Sequence, residues 1–161
     1  MDRLEIATAL FLALLFGVAI GLEREVRGKA AGLRTNILIC LGAAIYTVIS
    51  RQMAAGSSDS VTRIAAQIVT GIGFLGAGAI LRDTGGVHGL TTAATIWLVA
   101  SIGMACGAGF YFLATLSTVF AMIVLIGLAK LEKPLADYIK NCMPQDNHNE
   151  QNHVGKQQSI L

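Results

Sequence analysis

From Gly89 to Ala129 the chain carries no acidic or basic side chain. As one helix that run would be about 62 Å long at 1.5 Å per residue, about twice what the ~30 Å hydrocarbon core of a bilayer requires. A helix apolar on every side needs an apolar solvent, so this stretch is expected to cross a membrane, turn once and cross back. Cys106-Gly107-Ala108-Gly109 is the place for the turn, because closely spaced glycines interrupt a helical run. The spacing predicts crossings near Leu90–Ala105 and Phe110–Ala129.

Three further runs lack charge: Ile6–Leu22, Thr35–Ser50 and Ile64–Leu81. Charged residues make up 14% of the chain and hydrophobic ones 54%, where soluble domains carry roughly 25% charge. The expected fold is therefore an all-α integral membrane protein of about five transmembrane helices. Residues 1–129 would be the membrane domain, 130–143 an interfacial amphipathic helix and 144–161 a polar tail. The interfacial helix follows from Leu131, Leu135, Tyr138, Ile139 and Cys142 recurring at helical spacing between lysines. The tail is rich in Asn, Gln and His without periodicity and reads as disordered.

Lysine and arginine in short loops orient such a protein. Of the 12 basic residues, Arg24, Arg27, Lys29, Arg34, Arg82, Lys130, Lys133, Lys140 and Lys156 fall on one side, and Arg3, Arg51 and Arg63 on the other. The bias places the N-terminus outside and the C-terminus in the cytoplasm. A cleaved signal peptide is the alternative for the first span, but Asp2, Arg3 and Glu5 make a poor n-region and no A-x-A site follows.

Most reactive chemistry is disfavoured. The net charge of +2 is too small for a nucleic-acid surface. Cys40, Cys106 and Cys142 form no C-x-x-C pair, and His148 and His153 stand alone in the tail, so neither metal nor cofactor is expected. Gly71-Ile72-Gly73-Phe74-Leu75-Gly76 spells G-x-G-x-x-G, yet inside an uncharged run it lacks the strand, helix start and downstream acid of a dinucleotide site. Gly71, Gly76, Gly78, Gly103 and Gly107 read instead as positions where helices approach closely. Trp97 sits deep for a belt residue and is expected between helices.

A duplication is visible at an offset of 57 residues. Gly21, Gly28, Gly32, Leu33 and Thr35 match Gly78, Gly85, Gly89, Leu90 and Thr92. The first four spans thus read as two parallel helical hairpins, with the fifth appended. Thr35 or Asn36, and Thr91 or Thr92, are expected to cap the second and fourth helices. Near these helix starts lies the densest charge cluster, Glu23-Arg24-Glu25-Val26-Arg27. It is either an interfacial flank that sets topology or an ion network in which Glu23 or Glu25 pairs with Arg34 or Arg82. His88 reads as a hydrogen-bonded loop residue.

The blocks GLEREVRGKAAGLRTNILICLGAA (Gly21–Ala44) and GIGFLGAGAILRDTGGVHGLTTAATIWLVASIGMACGAGFY (Gly71–Tyr111) resemble the signatures of the MgtC/SapB family of bacterial inner-membrane proteins. The resemblance covers roughly residues 6 to 129. It implies adaptation to scarce magnesium by restraint of the rotary ATP synthase and of membrane potential, without catalysis. Virulence-type members continue into a soluble regulatory domain; about 30 residues after the fifth span are too few for one, so this chain is expected to be a short member. Expected partners are the lipid bilayer, a membrane protein such as ATP synthase and further copies of the chain. The competing expectation is a small magnesium or proton transporter, although no Asp or Glu lies within any predicted span.

Overall fold

The structure, a computed structural model, describes residues 2–54, 58–84 and 86–128. The expected interfacial helix and tail lie outside the described residues. In order come α1 (Arg3–Val26), α2 (Leu33–Met53), α3 (Ser58–Gly78), β1 (Leu81–Asp83), β2 (Gly86–His88), α4 (Leu90–Ala108), α5 (Tyr111–Met122) and a π-helical stretch, Ile123–Leu128. The chain divides into two units, Met1–Leu125 and Ile126–Leu161; the contacts below are those of the first.

Five α-helices match the five expected spans. Arg3–Val26, Leu33–Met53, Leu90–Ala108 and Tyr111–Leu128 are long and apolar enough to cross a membrane, while the apolar part of α3 is the shorter Ala65–Gly78. Burial is inverted relative to a soluble protein. Phe11, Phe74, Phe112 and Phe120 are all exposed, whereas the core consists mainly of Ala, Ile, Val and Cys. Lipid solvates large apolar side chains, so the interior is selected for close packing.

That packing is tightest between α2 and α4. A Cβ on Gly103 would collide with the Cys40 carbonyl, and one on Gly107 would come within 2.5 Å of the Ala44 carbonyl. Gly17 and Gly21 bring α1 similarly close to α2, where a Cβ would sit 2.9 Å from Ile37 Cα and Leu33 Cα respectively. Glycine at these four places is what lets the backbones touch. Gly71 and Gly78, expected to do the same, have nothing within 4 Å of a built Cβ, and Gly76 makes only an ordinary 3.7 Å contact with Ala93. Helix rotation explains the difference: Gly71 and Gly78 face a groove.

The turn expected near Cys106–Gly109 is present. Gly109 adopts φ +83°, with Gly109 N–H donating to Cys106 O (3.0 Å) and Phe110 N–H to Ala105 O (2.8 Å). These bonds close the end of α4 in the manner of a glycine C-cap. From α2, Arg51 Nη1 donates to the Gly107 carbonyl at 3.2 Å, placing a cation at the negative end of the α4 dipole.

The 57-residue offset reappears in the helix starts. Gly32 precedes α2 and Gly89 precedes α4. The first helices of the two halves differ, however. Helix α1 runs on past Gly21 to Val26, whereas α3 stops at Gly78, the matching glycine. Beyond α3 the second half forms a short antiparallel hairpin, with Leu81 opposite His88 and Arg82 opposite Val87. The expectation there was only a loop.

Candidate functional site

The last turns of α1 carry the charge cluster to the ends of α2 and α4. Buried positions on α1 run Ala9, Ala13, Gly17, Ile20, Gly21, Glu23 and Arg24. The stripe facing the bundle thus ends on an ion pair at the membrane edge. Arg24 is 2% exposed and Glu23 9%, among the most expensive groups to bury near hydrocarbon unless partnered.

Partners are present. Arg24 Nη2 donates to Thr92 Oγ1 on α4 at 3.2 Å. Arg24 Nη1 lies 4.0 Å from Glu23 Oε2, and Arg27 Nε pairs with Glu23 Oε1 from the exposed side. Arg24 Nε and both Glu23 carboxylate oxygens have no hydrogen-bond partner, so Glu23 is held by charge alone. At the start of α2, against Gly17 and Gly21 of α1, the fully buried Asn36 donates from Nδ2 to the Ala31 and Gly32 carbonyls, both at 2.8 Å, and leaves Oδ1 unpartnered. Glu25 acts elsewhere, its Oε2 accepting from Leu33 N–H at 2.8 Å. A carboxylate there satisfies an orphan donor at the positive end of α2.

Several expectations need correcting here. Thr35, Asn36, Thr91 and Thr92 are not caps; Gly32 and Gly89 hold the cap positions, and neither helix has a side-chain cap. Thr35 and Thr91 are exposed, one position off the buried stripes that contain Asn36 and Thr92. Arg34 and Arg82 are also exposed and form no ion pair among the described residues. Their place beside Glu23 is taken by Arg24 and Arg27, which reach the carboxylate from its own helix. His88 Nε2 faces Asp83 Oδ1 at 3.3 Å across the hairpin. Trp97 is not enclosed between helices: it is 52% exposed, on the outer face of α4 beside a small cleft against α3.

Sequence reasoning includes Arg24 in the network but misses Arg27, and it gives the pairing role to Arg34 or Arg82. A signal was available. Steps of three and four residues from Ile20, on the same face as Ala13 and Gly17, reach Glu23 and Arg24, and Glu23 and Arg27 stand four apart.

A second feature opens next to this network. A groove of about 1060 Å³ lies between α2, α3 and α4, bordered by Thr35, Gly42, Tyr46, Gly71, Phe74 and Thr92 among others. Its lining includes no charged side chain. Among the described residues, no three His, Cys, Asp or Glu side chains converge as a metal site. Chemically, the ion network can hold helices together and respond to charge at the membrane edge; the groove can take an apolar ligand.

Helices of this length and composition define a multi-pass α-helical membrane protein, one that buries an arginine at the end of its first helix. Residues 10–134 match the MgtC family, and the chain belongs to it. It is 46% identical over 134 residues to the protein named MgtC of Brucella abortus, covering 83% of this chain and 54% of that one. A protein of Salmonella typhimurium, also named MgtC, is 50% identical over 113 residues, 70% of this chain and 48% of its own. A protein of Escherichia coli K12 that carries the name "Putative magnesium transporter YhiD" is 47% identical over 127 residues, 75% of this chain and 59% of its own. The chain thus spans about half the length of these relatives. No solved structure matches it.

Proposed function

We propose that the chain is a non-enzymatic membrane regulator of the MgtC type, seated in the bacterial inner membrane with its N-terminus outside. In this reading it restrains ATP synthase and tempers membrane potential when magnesium is scarce. The observation that carries it is the closed, glycine-tight seam between α2 and α4. Along that seam and beside it three buried hydroxyls turn back onto their own helices: Thr47 to Ala43 O and Thr95 to Thr91 O, both at 2.7 Å, and Thr118 to Ala114 O at 2.8 Å. Among the described residues the buried acid is Glu23 at the helix end, so a cation that keeps oxygen ligands around it meets no ladder of carboxylates along the seam.

The competing reading is magnesium transport, the activity in the name of the Escherichia coli relative. One observation favours it: Glu23 and Asn36 present buried oxygens that accept no hydrogen bond. Two arginines already face Glu23, which weighs against a divalent cation there.

Two assays separate the readings. Purified full-length chain in proteoliposomes should carry no magnesium down an imposed gradient. Inverted membrane vesicles containing it should show reduced ATP-driven acidification. Saturable magnesium flux that disappears in Glu23→Gln, with ATP-driven acidification unchanged, would overturn the proposal in favour of transport.

A further inference from the structure

We infer that the groove between α2, α3 and α4 is a binding site for one anionic phospholipid, drawn from the leaflet that borders the α1–α2 connection. Three observations converge on this ligand. The first is size and lining. At about 1060 Å³ the groove stands at the upper end of the range of small-molecule sites, roughly 300–1,000 Å³, and its lining is almost wholly apolar. The second is depth. From Thr35 to Tyr46 the groove follows α2 for about 17 Å at 1.5 Å per residue. One leaflet contributes about half of the ~30 Å hydrocarbon core, so the groove is as deep as one set of acyl chains.

The third is charge at one end. Ala30, Thr35 and Ala79 line the groove at the edge bearing the α1–α2 connection. Lys29 immediately precedes Ala30, Arg34 immediately precedes Thr35, and Arg82 follows three residues after Ala79. All three basic residues are exposed and form no ion pair among the described residues. Three acids lie nearby, Glu23 paired with Arg24 and Arg27, Glu25 on the Leu33 amide and Asp83 facing His88. Against them stand five basic residues, Arg24, Arg27, Lys29, Arg34 and Arg82, so this edge keeps a net charge of +2 with His88 neutral. The opposite end is lined by Tyr46 and Gln67 and has one exposed arginine, Arg63, a helical turn from Gln67, against three exposed basic residues at the first end. An apolar slot one leaflet deep, with uncompensated positive charge at the headgroup level of one end, is complementary to an anionic phospholipid. A helix of a partner protein would fill the slot but has no reason to bring negative charge to that end.

Gly42 and Gly71 explain how the slot is kept open. Each lines the groove and has nothing within 4 Å of a built Cβ, so a larger side chain at either position enters the groove without pushing on a helix.

The test uses the full chain in mild detergent, titrated with phosphatidylglycerol or phosphatidylcholine of identical acyl chains and read by native mass spectrometry. One phosphatidylglycerol per chain should be retained, about tenfold or more tighter than phosphatidylcholine, since each basic residue near a lipid surface contributes roughly fivefold. Lys29→Gln, Arg34→Gln and Arg82→Gln combined should bring phosphatidylglycerol down to the phosphatidylcholine level. Gly71→Leu should lower retention of both lipids, and Gly42→Leu, an independent way to fill the slot, should do likewise. Equal retention of the two lipids, or phosphatidylglycerol still held after both glycine substitutions, would overturn the inference. So would a dimer that carries no lipid and dissociates in Gly71→Leu, which would assign the groove to a second copy.

Discussion

Arg24 on α1 and Thr92 on α4, 68 residues apart in sequence, meet through a 3.2 Å hydrogen bond between two buried side chains. The bond ties the end of the first helix to the start of the fourth. It also supplies a polar partner to a guanidinium that water cannot reach. Thr92→Val keeps the shape and removes the acceptor, and should destabilise the protein by about 1–3 kcal/mol. Thr92→Ser should recover most of that loss. Thermal unfolding in detergent measures both, and equal behaviour of Val and Ser would show that the hydroxyl is irrelevant.

Arg24→Met leaves the Glu23 carboxylate buried with Arg27 alone. Stranding a buried charge altogether costs about 3–5 kcal/mol; because Arg27 still faces Glu23, the loss should fall below that range. Adding Glu23→Gln should restore part of the stability, with a coupling of roughly 0.5–3 kcal/mol. Strict additivity in the double-mutant cycle would mean that the two side chains do not interact.

Gly103→Ala should be poorly tolerated, since its Cβ would collide with the Cys40 carbonyl and force α4 away from α2. Overpacking of this kind costs about 1–3 kcal/mol. Gly42→Ala is the matched control. It meets open space and should be neutral or stabilising by up to about 1 kcal/mol through helix propensity. Yields of monodisperse protein and unfolding midpoints report both.

Arg34→Ala should change stability by no more than about 0.5 kcal/mol in lipid-free detergent, because the side chain is exposed and forms no ion pair among the described residues. The same substitution at Arg24 should be several-fold more damaging. A large loss from Arg34→Ala would return that residue to the ion network.

Orientation is checked with reporters. A fusion after Ala129 should register in the cytoplasm, and one inserted between Met53 and Asp59 outside. The reverse pattern would show that the distribution of basic residues does not set topology in this chain.

Helix number, approximate ends and the α4–α5 turn were legible in the sequence, because each depends on local quantities. An uncharged run has a length and the bilayer has a thickness. Glycine at Gly109 permits the left-handed conformation that ends α4. The offset of 57 residues likewise paired the starts of α2 and α4, although it put their caps at Thr35 or Asn36 and Thr91 or Thr92, where the structure has Gly32 and Gly89. Legibility weakened where the two halves part company. Nothing in the matched glycines revealed that α3 stops where α1 continues, so that Leu81, the counterpart of Arg24, lies in a strand.

The sequence by itself determined that this chain dissolves in a bilayer as helices, since a charge-free run of that length must satisfy its backbone internally. Tertiary structure alone decided which charges and which glycines matter. Neighbouring residues on a helix point about 100° apart, so a small rotation separates buried Arg24 from exposed Glu25, buried Asn36 from exposed Thr35, and buried Thr92 from exposed Thr91. The same rotation presses Gly103 against Cys40 and leaves Gly71 facing an open groove. Composition is identical in each pair of alternatives, and the contacts that choose between them come from residues far away in the chain.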